Sequence, residues 1–337
     1  MSSPALARSD EAGDRLYLWG IPPEGFYSVT TIIGGGVPKW HLPPWYAKLV
    51  AELVYAELAA RSPHSRARAA LRTWAGLGRA DVLAKKAAGG LAKLKLADLT
   101  ERDLATRYLK AEPERVRDRA AALGIEVHDA AEEHVLRLIA ETGEAYAAGR
   151  ELPEWPADLT GHMTSFLAFL EGWRPTYLAT EATVFNRAQG YAGTLDAIIQ
   201  LPVWRIVAAF RAAELPVPGW LARLAPDRVL TILVDYKSGR ATYPEVGLQL
   251  SAYARGEFIG GADGITEHPV PQIDAAIVLH VTPKGYRPRF VRIDEPIYRM
   301  FLHAREVFRF QKTVARTVFL EDLPPPAATP ELEAALV

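Results

Sequence analysis

The chain has 337 residues, 49% of them hydrophobic and 23% charged, with no cysteine and a net charge of −1. That composition excludes disorder, collagen and coiled-coil rods as whole-chain readings. The missing thiol excludes disulfides, cysteine-ligated zinc, iron–sulfur clusters and thiol catalysis.

The length predicts about two domains, or one large decorated one. The first residues, MSSPALARSDEAGD, contain no apolar signal core. The longest apolar runs, IVAAF and AAIVL, are far short of the ~20 residues of a bilayer helix. A soluble, cytoplasmic protein with no membrane contact is expected.

Residues 1–45 are rich in Gly and Pro and include one β-like piece at 27–33 (YSVTTII). Pro43 and Pro44 precede a helical pattern from Trp45 to about Ala60. Segment 61–95 has nine Lys or Arg against one acid, Asp81, so it is a local basic patch on a chain with no global positive field. Arg66, Arg68, Arg72, Lys85 and Lys86 are its candidate contacts to a phosphate backbone. The alternative is a solvated face of alanine-rich helices. Residues 64–110 read as short helices interrupted by Gly76, Gly78, Gly89 and Gly90.

Pro113 suits the first turn of a long helix running to about Glu141. Its positions Val116, Ala120, Leu123, Val127, Ala131, Val135 and Leu138 step by three or four and predict one buried stripe. After Trp173 the pattern turns to strands. Segments 177–186 and 191–200 predict a hairpin around Ala188-Gln189-Gly190. An insertion follows at about 202–228, then a buried-type strand at 230–237 (LTILVDYK). A helix is expected from Glu245 to about Phe258, strands at 273–281 and 287–293, and a last helix at 295–317. The order predicts an α/β core with a helical N-terminal region. The divisions are 1–112, 113–318 and a weakly ordered tail at 319–337.

The strongest chemical signal is Asp235-Tyr236-Lys237 at the end of an apolar strand. Alternation puts Asp235 and Lys237 on one face, and buried charges need a partner or a metal. Asp196, amid Leu195, Ala197, Ile198 and Ile199, is a second acid in an apolar strand. If the two strands pair, Asp196 and Asp235 converge on one divalent cation, with Mg²⁺ or Mn²⁺ suiting hard oxygen ligands. The alternative is a structural ion pair such as Asp196 with Lys237. His128, beside the buried stripe, is a third candidate ligand or simply a packed boundary histidine. Gly124, one turn earlier, leaves surface beside it open. Asp129, Glu132, Glu133 and His134 read as a solvated helix face. Gln249 and Tyr253, four apart, share a helix face. They are placed to bond a phosphate or the lysine, or are ordinary helix polarity and a core tyrosine.

His128 in a G-x-x-x-H helix, then GTLDAI, VDYKSG and QLSAY, in that order, resembles the PD-(D/E)XK nuclease superfamily, in particular its RecB-like exonuclease branch. The resemblance covers about residues 115–300. It implies a restriction-endonuclease-like core, a central mixed sheet flanked by helices. It implies Asp196, Asp235 and Lys237 as catalytic residues. His128, Asp196, Asp235 and the Tyr236 carbonyl would be metal ligands, with Gln249, Tyr253 and Glu181 in support. The chain departs from the many members of this branch that carry four iron–sulfur cysteines, and it has no helicase phosphate loop. A stand-alone, metal-dependent DNA nuclease, an exonuclease before an endonuclease, is expected. A recombination or helicase protein would be its partner. The rival expectations are a nuclease fold that binds DNA without cutting, and an unrelated metallo-phosphohydrolase centred on His128-Asp129.

Overall fold

The computed structural model describes residues 6–10, 13–38, 42–59, 66–89, 91, 94–146 and 153–323. Three short strands come first: β1 (Ala7–Ser9), β2 (Arg15–Trp19) and β3 (Glu24–Ser28). Helices follow: α1 (Val29–Gly36), α2 (Leu42–Ala59), α3 (Arg66–Ala87), α4 (Glu101–Lys110), α5 (Glu112–Thr142) and α6 (Ala157–Trp173). The hairpin β4 (Thr176–Asn186) and β5 (Tyr191–Pro202) leads into α7 (Val203–Ala212), α8 (Gly219–Ala222) and β6 (Val229–Lys237). Then come α9 (Val246–Tyr253), β7 (Phe258–Gly260), β8 (Glu267–Pro269), β9 (Ala275–Thr282), β10 (Gly285–Val291) and α10 (Glu295–Lys312). Among the described residues no helix is long and apolar enough to cross a membrane.

The ten strands form one mixed sheet. Its main path runs β10-β9-β6-β5-β4-β7-β8, and β3-β2-β1 branches from β5. The β6–β9 and β3–β5 pairings are parallel, and the rest are antiparallel. One face buries Ile199, Leu201, Ile232, Val234 and Ile277 against Val135 of α5 and Phe166 and Phe169 of α6. The other buries Ile198, Leu233 and Ala276 against α1, α9 and α10 through Ile32, Leu250 and Phe301. Each such large apolar side chain contributes about 1.5–3 kcal/mol on full burial. A smaller separate cluster, Ala75, Val82, Leu104 and Ala105, joins α3 to α4.

Several elements differ from the sequence expectations for identifiable reasons. The piece 27–33 is not one strand. Ser28 ends β3 and caps α1, its side chain accepting from the Thr31 N–H, so the β-branched run that follows is helical. Residues 66–87 form one helix rather than short pieces. Gly78 lies directly against the Leu104 carbonyl, so it lets α3 and α4 approach closely instead of breaking the helix. The α5 stripe is buried only from Val127 onward, and Ala120 is exposed. The helix expected to reach Phe258 ends at Tyr253. Gly256 then lies against Val184, and the chain turns into β7. The last helix ends at Lys312, followed by a 3-10 turn at Val314–Thr317. Residues 324–337 of the expected tail lie outside the described residues.

Candidate metal centre

β4 pairs along one edge of β5 from Gln200 to Tyr191. The other edge changes partner along its length: β3 takes Tyr191 and Ala192, and β6 takes Ala197 to Pro202. Residues 193–196, the GTLD motif, lie between the two with no strand partner on that edge. β6 leaves β5 after Val234 but stays paired with β9 as far as Lys237. The Tyr236 N–H, freed by that divergence, donates to Asp196 Oδ2 at 2.5 Å. A carboxylate thus supplies the acceptor that a backbone carbonyl would otherwise provide. Gly193 is required here, because a Cβ on it would come within 2.5 Å of Tyr253 Cε1.

α5 brings His128 onto this gap. His128 Nε2 lies 3.1 Å from the Tyr236 carbonyl. A carbonyl only accepts, so Nε2 carries the proton and Nδ1 presents its lone pair. Nδ1 is 3.6 Å from Asp196 Oδ1. Glu181 reaches the same point from β4. One ligand-type atom from each of His128, Glu181 and Asp196 lies within 4.8 Å of the other two. Thr180 and Ala182 pair with Ala197 and Leu195, so Glu181 stands opposite Asp196. Its φ of +43° is left-handed, a conformation that costs a non-glycine residue about 1–3 kcal/mol. Burial, reinforced by Asp196, Glu132 and Asp129, pushes the Glu181 carboxyl up to about 8.

Asp235 lies outside that trio. It is 2% exposed. Lys237 Nζ donates to its Oδ1 at 2.7 Å and lies 2.5 Å from its Oδ2. Gln249 Nε2 donates to Asp235 Oδ1 at 2.9 Å and to Tyr253 Oη at 3.4 Å. Burial pushes Asp235 up to about 6, against the pull of the Lys237 ammonium. For Lys237, burial opposes the charge, and Asp235 and Asp196 outweigh it and raise the pKa. Gln249 therefore bonds the acid of the D-x-K motif rather than its lysine.

The trio fits a divalent cation. Three acceptor atoms facing one another repel unless a positive charge lies between them. Ligands about 2.1 Å from a small hard cation stand at most ~4.2 Å apart, so closing the observed spread needs shifts of about 1 Å or less. Two carboxylates with one imidazole suit Mg²⁺ or Mn²⁺. The buried Asp235 Oδ2 receives no hydrogen bond of ordinary geometry, which leaves it a lone pair on the adjacent strand.

Other expectations change. Gly124 does not leave open surface, since a Cβ there would meet Ser238 Oγ at 3.3 Å. Asp129 is exposed, whereas His134 is buried beside Trp155, and burial lowers its pKa. Glu132 is not simply solvated: it accepts from Thr180 Oγ1 at 3.5 Å, and burial raises its pKa. Its i+4 spacing from His128 is the sequence signal that marks it. Arg72 and Lys85 are exposed, with Lys85 paired to Asp81 at 3.1 Å. Lys86 instead donates to the Leu94 carbonyl at 2.6 Å and tethers the loop after α3. The side chains of Arg66 and Arg68 lie outside the described residues. No protein-family model and no curated protein matches the sequence.

Proposed function

We propose that this protein is a metal-dependent DNA nuclease of the PD-(D/E)XK type, working as an exonuclease on a restriction-endonuclease-like core. The observation that carries the reading is the convergence of His128, Glu181 and Asp196 where β5 and β6 part, with the Asp235–Lys237 pair on the next strand. His128, Asp196 and Glu181, with the Tyr236 carbonyl beside them, would hold Mg²⁺ or Mn²⁺. Such a cation neutralises phosphodiester charge and acidifies a water molecule.

The protein's own groups supply the rest. Asp235 and Gln249 fix the Lys237 side chain, so its ammonium meets the phosphoryl oxygens as negative charge develops on them. His128 keeps its proton on Nε2 through the Tyr236 carbonyl, which leaves Nδ1 as a ligand. The Gly193–Tyr253 contact keeps the wall of the gap close-packed. The exposed basic residues of α3, Arg72 and Lys85 among them, offer phosphate contacts along a bound strand.

The test is cleavage of end-labelled linear and closed circular DNA in Mg²⁺, Mn²⁺ or EDTA, with Asp196→Ala alongside. Metal-dependent loss of linear DNA alone, absent in the variant, is the expected result. Cutting of the circle makes it an endonuclease. Binding of DNA without any cutting overturns the enzymatic reading.

A further inference from the structure

The insertion between β5 and β6 encloses a second, chemically different site. A cavity of about 420 Å³ lies between α7, α6 and the strands β5, β6, β9 and β10. Phe169, Leu201, Ile206, Phe210, Ile232 and Phe290 are among its walls. It lies by the Leu201 end of β5, five residues or about 17 Å from Asp196. Its size falls in the ordinary range of ligand pockets, about 300–1,000 Å³. An apolar cavity this large forfeits dispersion contacts while empty and holds water poorly.

Arg289 is the only charged residue of the lining. It is exposed on the edge strand β10 and pairs with no acid among the described residues. No carboxylate lines the cavity. Apart from the Trp173 indole, no other lining side chain can hydrogen-bond. A nucleotide or sugar would bury polar groups without partners, at about 1–3 kcal/mol each. A molecule with one long apolar part and one anionic end leaves nothing unpaired.

We propose that this cavity binds a fatty acid, with the aliphatic chain among the Phe, Leu and Ile walls and the carboxylate on the Arg289 guanidinium. The proposal does not depend on nuclease activity, because its ligand, residues and readout are separate.

The experiment is calorimetric titration of the full chain with decanoate, decanol and decylamine, below their micelle concentrations. One saturable site per chain is expected, with decanoate at least tenfold tighter than decanol. Arg289→Glu should weaken decanoate at least tenfold and favour decylamine. Ala209→Trp, which fills the cavity from α7, should abolish binding of all three, with unchanged circular dichroism confirming the fold. No saturable binding, equal affinity for decanoate and decanol, or affinities untouched by both variants would overturn it.

Discussion

The Asp196 carboxylate accepts the Tyr236 backbone N–H at 2.5 Å, so a side chain of β5 bonds the backbone of β6 where the two strands separate. The same residue therefore has a structural and a proposed catalytic duty, and two substitutions separate them. Asp196→Asn keeps an acceptor for the N–H and should hold stability within about 1 kcal/mol while cleavage is lost. Asp196→Ala strands the N–H and should cost about 1–3 kcal/mol as well. Urea unfolding of both variants beside a cleavage assay checks this. Equal stability of the two would show that the bond contributes nothing.

Asp235 and Lys237 form a pair with one member almost fully buried. Lys237→Ala leaves a buried carboxylate unpaired and should destabilise by about 3–5 kcal/mol. The activity of this variant alone is thus a poor test of catalysis. The double variant Asp235→Asn/Lys237→Gln should be more stable than Lys237→Ala, while remaining inactive. A double variant less stable than Lys237→Ala contradicts the pairing.

Glu181 makes stability depend on pH in a direction opposite to that of most carboxylates. Its folded pKa of about 8 exceeds the ordinary 4.5. Between these values the unfolded chain has released the proton and the folded protein keeps it. The unfolded state then binds fewer protons, and stability falls as pH rises through that window. Urea unfolding without divalent cations should show wild type losing on the order of 1 kcal/mol or more from pH 5 to 8, relative to Glu181→Gln. Mn²⁺ should shrink the difference, because a cation favours the ionised carboxylate.

Gly193→Ala drives a methyl group into the Tyr253 ring. Overpacking of this kind costs about 1–3 kcal/mol. Tyr253→Leu in the same chain should recover part of that loss, since the ring is what the methyl meets. Thermal unfolding of the single and double variants decides it, and no recovery would locate the strain elsewhere.

Arg72 and Lys85 are exposed on α3, within the basic segment. Replacing both with Glu should weaken DNA binding at every sequence alike. The slope of log affinity against log salt should fall by about 0.9 for each phosphate of duplex DNA that is no longer neutralised. Fluorescence anisotropy at several salt concentrations measures it, and an unchanged slope removes these two residues from the interface.

Much of the centre is legible in the sequence because an acid in an apolar strand is costly to bury without a cation beside it. Asp196, Asp235 and Lys237 stand out in this way, and the helix position of His128 points to the same place. Glu181 is visible only through the family resemblance, since no spacing rule reveals a left-handed residue in a strand. Glu132 and His134 depart from the solvated face expected of them because the width of the buried stripe depends on how β4 and Trp155 cover α5. The strands β1 and β2 escape a sequence reading because their pairing is with each other and with β3, and nothing local marks them. Residues 29–33 mislead through β propensity, which the Ser28 cap and the contact of α1 with α10 override. The apolar cavity has no sequence signal at all, as its walls come from six separate elements.

The two partners that share one edge of β5 set the order in which the centre can come into being. The β4–β5 hairpin needs only neighbours in the chain, so Glu181 and Asp196 can meet early. His128 precedes them by more than fifty residues, and the strand carrying Asp235 and Lys237 arrives after an insertion and is braced by β9. A centre assembled from contacts this distant in sequence closes loops at an entropic cost that slows folding. Catalytic competence should therefore be among the last properties regained on refolding, after the hairpin and the long helix have already recovered their signal.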